Sequence, residues 1–192
     1  MQKNKDKKLV KNAITIFIVV LMVGSVLGYM FGRDSEESYK YNNYKFTRTD
    51  NKFILNINNV DIEFHFFPSD VEYINVSSNI LNKLTNKVEI DSTYDEDNKW
   101  KEGISVAQYD LERFFNVAGV YFVNGLTAKN AYSMPVIGCN TSTEKTPVIY
   151  FKEGNETKIF IDDNCIIAES NDDLGFIRIK DRLIYGLLGV IE

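Results

Sequence analysis

The sequence predicts a mixed α/β domain behind a single N-terminal transmembrane helix. Three observations carry that reading. An uncharged stretch, Ala13 to Phe31, follows a lysine-rich start. Two sets of short segments, over 44–66 and 147–169, alternate apolar and polar residues and read as β-meanders. Two amphipathic helical patterns lie at about 103–117 and 172–190, and strand-like runs on either side of the first suggest a βαβ unit. The expected layout is a basic tail 1–12, a membrane helix 13–32, a tether 33–43 and an α/β domain 44–192.

The apolar stretch Ala13–Phe31 holds nineteen residues and no charge. As a helix it spans roughly 28 Å, close to the ~30 Å of a bilayer core. Lys3, Lys5, Lys7, Lys8 and Lys11 precede it, whereas Arg33 is followed by Asp34, Glu36 and Glu37. Positive charge collects on the cytoplasmic side, so the N-terminus is expected inside the cell membrane and the domain outside. A cleaved signal peptide is the rival reading, but the stretch is long for one and no A-x-A site follows. Gly24, Gly28 and Gly32 recur every fourth residue, a face on which a second copy of the helix can pack closely. The net charge of -5 divides into +4 over residues 1–12 and therefore -9 over the rest. Such a domain repels nucleic acid and anionic lipid head groups, and neither is expected as a partner.

Within the domain, Phe53, Leu55 and Ile57 share one strand face, and Val60, Ile62, Phe64 and Phe66 share the next. Asn58-Asn59 between them suits a two-residue hairpin turn. Pro68 stops the run, and Ser69 with Glu72 fits a capping box for a short helix through about Ile74. Residues 87–93 read as a fourth strand. Ile104, Ala107, Leu111, Phe114 and Ala118 then mark a helix closed by Gly119, with strand 120–123 behind it. The segment 124–146 is a long loop, and 147–151, 157–161 and 165–169 form the second meander. Asn171 is placed to cap the last helix, whose apolar face carries Phe176, Ile179, Leu183, Leu187 and Val190.

Few residues carry chemistry. Cys139 and Cys165 both follow the span, in the compartment where disulfides persist. A bridge between them closes a loop of about 26 residues; the alternative is two buried thiols. His65 is the single histidine and reads as a surface residue on the polar face of its strand. One His and two Cys are too few for a zinc site of the usual kind. Asp95-Glu96-Asp97 and Asp162-Asp163 offer oxygens to Ca²⁺, but their spacing fits solvated turns better. No catalytic or nucleotide-binding fingerprint occurs, and neither cofactor nor metal is expected. Asn75, Asn140 and Asn155 begin N-x-S/T sequons, candidate glycosylation sites in an exported chain.

The segment TPVIYFKEGNETKIFIDDNCIIAES, with PVIGCN before it and RLIYGLLGVI after it, resembles a family of small, single-pass, membrane-anchored archaeal proteins, many of them from DPANN lineages. The resemblance extends from YKFTRTDNKF through the helix ending LERFF. It implies the anchor-plus-domain layout and a Cys139–Cys165 pair, and brings no catalytic residue. The function expected is that of a non-catalytic extracytoplasmic module binding an envelope partner. Two other readings stand beside it. One is an exported enzyme, working through carboxylates or through Cys139 and Cys165; the other is a surface-filament subunit assembled through the span.

Overall fold

The computed structural model describes residues 16–26, 37–129 and 131–192. The chain divides into two units, Met1–Glu37 and Ser38–Glu192. In the first, residues 16–26 form helix α1, and its large apolar side chains from Ile16 to Val26 are exposed. Among the described residues no helix is long and apolar enough to cross a membrane. The ends of the expected span, including Gly28, and Gly32 beyond them lie outside the described residues. Gly24 lies within α1, where an added Cβ would meet nothing within 4 Å.

The second unit is mixed α/β with two sheets rather than one. The first is β1 (Glu37–Tyr41), β2 (Tyr44–Thr49), β3 (Lys52–Ile57) and β4 (Val60–Phe64), in that spatial order. It begins earlier than the expected tether allowed. Tyr39 and Tyr41 alternate on β1 and both pack against Phe67, so the segment is anchored by aromatic contacts. Its later turns rely on residues that tolerate positive φ: Asp50 and Asn51 (48° and 62°), then Asn58 and Asn59 (52° and 65°). The short helix expected after Pro68 is a single 3-10 turn, Pro68–Asp70, in which Asp70 rather than Glu72 accepts from the preceding amide, that of Phe67. A helix not expected from the sequence, α2 (Ser78–Leu84), follows.

The second sheet has the order β6-β5-β7-β9-β8. β5 (Glu89–Tyr94), helix α3 (Lys101–Val117) and β6 (Tyr121–Leu126) form the expected βαβ unit with parallel strands. The second meander is corrected. β9 (Cys165–Ser170) inserts between β7 (Val148–Glu153) and β8 (Lys158–Asp162), parallel to the former and antiparallel to the latter. Only the β8–β9 hairpin, turned by Asp163 at φ 51°, is local in sequence.

Helix α4 (Asp173–Leu187) ties both sheets together. Its Phe176 meets Phe151 of the second sheet edge-on at 6.1 Å, and its Tyr185 stacks on Phe64 of the first at 4.0 Å. Asp172, not Asn171, caps it, accepting from Gly175 N. α3 packs along α4 and stacks Phe115 on Phe122 of β6. The starts of the two helices touch: Gly103 N donates to Asp173 Oδ1 at 2.8 Å, and a Cβ on Gly103 would lie 2.5 Å from the Asp173 backbone. With elements on several sides of it, α4 buries ten consecutive or near-consecutive residues, including Lys180, Asp181 and Arg182.

Candidate functional site

β4 is an edge strand, and helix α3 runs beside it. Asp110, Arg113, Phe114 and Val117 share one helix face at spacings of three and four, and that face lines a groove against Ile57, Val60 and Ile62. Ile184 and Leu188 of the α4 region also line it. The groove holds about 260 Å³. A cavity of ~150 Å³ accommodates one benzene, so this space suits about two medium apolar groups and not a large cofactor. Its lining is mainly aliphatic and aromatic, with Asp61, Glu63, Asp110 and Arg113 along the polar side.

At one end the groove meets a buried charge cluster built from three elements. Lys180 is fully buried, and its ammonium contacts Asp181 and lies 2.9 Å from Asp110 Oδ2. Asp110 Oδ2 receives no well-directed hydrogen bond, so this contact is an ion pair. Asp181 Oδ2 also accepts from the backbone amides of His65 (2.9 Å) and Phe66 (2.8 Å), just past the end of β4. Burial pushes the Asp181 carboxyl up, while Lys180 and the Phe66 amide pull it back. His65 Nδ1 lies 3.4 Å from Lys180 Nζ and 3.5 Å from Asp110 Oδ2. Burial, then the nearby ammonium, hold the imidazole below its ordinary value. A neutral ring with Nδ1 accepting from Lys180 satisfies both groups. Tyr185 completes the junction by donating to Phe66 O at 2.8 Å, and burial pushes its phenol up.

Chemically, this cluster is a lock of one ammonium, two carboxyl groups and an imidazole. Lys180 is enclosed between two carboxylates, and His65 is bonded to no serine, threonine or cysteine among the described residues. It fixes the end of the edge strand to both helices and leaves the groove beyond it open.

The residues singled out from sequence fall elsewhere. Cys139 and Cys165 do form a disulfide, with Cα atoms 5.2 Å apart. It lies on the outer face of the second sheet, beside a small core of Ile137, Val148 and Ile167. The long loop is held there further by Thr93 Oγ1 donating to Ile137 O and Ser142 Oγ to Asn164 O. Asn75, Asn140 and Asn155 are all exposed and lie on three separate segments. Asp95 accepts from Asp97 N within its own turn, and Asp162 pairs with Cys165 across the β8–β9 hairpin. Among the described residues no three His, Cys, Asp or Glu side chains gather as a metal site. Lys180, Asp181 and Asp110 were not apparent from sequence. The available signal was the run Lys180-Asp181-Arg182 between the apolar residues Ile177, Ile179, Leu183 and Ile184 of one helix. His65 belongs to their cluster instead of standing as an isolated surface residue.

Against known protein families, curated proteins and solved structures, the chain finds no match.

Proposed function

We propose that the chain is a membrane-anchored extracytoplasmic binding module that engages its partner through the groove between β4 and α3. The observation that carries this reading is an apolar groove beside an edge strand, ending at a cluster whose charged groups are committed to one another. The anchor is the stretch Ala13–Phe31, of which α1 is the described portion; an apolar helix with exposed side chains on all sides suits a lipid surrounding. Five lysines on one flank orient it with the tail in the cytoplasm. Gly24, Gly28 and Gly32 supply a face through which two copies pair in the bilayer.

The test has two parts. The full chain should stay with membranes through an alkaline wash, with its domain open to an impermeant reagent from outside. A chain starting at Ser38 should be soluble and unfold cooperatively. Release of the full chain by the wash rejects the anchor, and a shortened chain that fails to fold rejects the independent module.

A further inference from the structure

We propose that the groove receives an extended polypeptide segment that adds to β4 as a fifth strand, and that this segment alternates basic with aliphatic residues. The proposal rests on the binding reading above and specifies its ligand.

The backbone comes first. In the Asn58-Asn59 hairpin, Val60 N closes the turn onto Ile57 O, so Val60, Ile62 and Phe64 direct their amides and carbonyls toward β3. Asp61 and Glu63 therefore direct theirs outward from the sheet edge. Among the described residues nothing bonds those groups. Two residues beyond Glu63, the outward amide of His65 is taken by Asp181. The free edge is thus short, and the register of an added strand is set at Asp61 and Glu63.

The side chains come next. Charged edge strands usually discourage pairing, and Asp61 and Glu63 alone fit that defensive role. What differs here is the space beside them, an apolar groove walled by Phe114 and Val117 and not open solvent. An added strand places alternate side chains into that space, which has room for about two of them. Its other side chains face Asp61, which accepts from Asn56 Nδ2 at 2.6 Å, and Glu63, which Lys52 already pairs at 2.7 Å and Arg113 approaches at 3.8 Å. Charge then selects the occupant. Pairing β4 with β4 of a second copy would set Asp61 and Glu63 against themselves, whereas lysine or arginine on the incoming strand meets Asp61, which no cation pairs among the described residues, Glu63 being matched already by Lys52. Over residues 38–192, 16 Lys and Arg stand against 23 Asp and Glu, a net -7 that attracts a basic segment at longer range.

The probes are three capped seven-residue peptides. One alternates lysine with valine and leucine (KVKLKVK). The second carries glutamate in place of lysine, and the third is the lysine peptide N-methylated at alternate backbone nitrogens. They are titrated against the full chain in phosphatidylcholine nanodiscs, with hydrogen exchange read at the Asp61 and Glu63 amides. The lysine peptide should bind about tenfold or more tighter than either control and slow exchange at both amides. The V117K variant, altered at an exposed wall position, should lose most of that binding. Equal binding by the N-methylated peptide, still blocked in V117K, overturns strand addition while leaving the groove a binding site. Absence of binding by all three at millimolar concentration overturns the proposal outright. Protection of Asp61 and Glu63 without peptide, lost on dilution, overturns it in favour of a second copy.

Discussion

Replacing Lys180 with methionine tests the buried cluster most directly. The substitution keeps the length of the side chain and removes only the ammonium, which in the native protein touches Asp181 and stands 2.9 Å from Asp110. Two carboxylates then share a site from which water is nearly absent, their side chains being 0% and 15% exposed. Breaking a buried pair by removing one partner costs about 3–5 kcal/mol, and the residual exposure of Asp110 places this case near the lower bound, at about 3 kcal/mol. The K180M/D181N double variant leaves one carboxylate at the partly hydrated position and should recover more than half of that loss. A second readout is independent of stability. His65 is the sole histidine, so its ring protons are identified without assignment. In the native protein burial and Lys180 hold it below the ordinary imidazole value of about 6.5. In K180M the ammonium is gone and two carboxylates remain, so the titration should move upward. Urea unfolding and proton NMR over pH supply both measurements. A loss under about 1 kcal/mol, with an unmoved His65 titration, refutes the picture of one coupled cluster.

Three further outcomes follow from the geometry. Because the His65 imidazole is depressed in the folded state, the unfolded chain takes up the proton first as pH falls; stability should be level above about pH 7 and decline below about 6.5. Native stability minus that of H65Q isolates that slope and should fall as pH drops below about 6.5; a difference that instead rises as pH falls contradicts the sign. Removing the 26-residue disulfide loop constraint by C139A/C165A should cost about 3.5 kcal/mol in urea while leaving the groove intact, since the bridge sits on the far face of the second sheet; a cost under about 1 kcal/mol discounts it as a clamp. G103A places a methyl 2.5 Å from the Asp173 backbone and should lower stability by about 1–3 kcal/mol despite alanine's better helix propensity; a thermal melt showing no decrease means that α3 and α4 shift apart at little cost.

What was legible in the sequence was what depends on local pattern. The hairpin between β3 and β4 announced itself through Asn58-Asn59, α3 through its three-and-four spacing, and the βαβ unit through the strands beside it. The insertion of β9 between β7 and β8 was not legible, because a parallel partner leaves no turn signal between the paired strands. Nor was the second sheet separate from the first, since an alternating strand looks the same whichever sheet receives it. The cluster was hidden for another reason. Lysine and aspartate adjacent in a helix ordinarily mark its wet side, and only the arrival of β4 and α3 makes Lys180 and Asp181 interior. The disulfide was readable as a pairing of the two cysteines, though not its position behind the second sheet.

The placement of α4 has a consequence for how the polypeptide acquires its structure during synthesis. Both sheets precede this helix in the chain, yet each buries an aromatic face against it, through Phe64 on one side and Phe151 on the other. As the chain grows, strands β1 to β9 are complete before the helix they share exists. Until residues 173–191 are added, two apolar sheet faces remain uncovered and β4 lacks the Asp181 contact that seals its end. Folding of the whole domain is therefore coupled to completion of its last segment, and an arrested chain is exposed to strand mispairing in the interval.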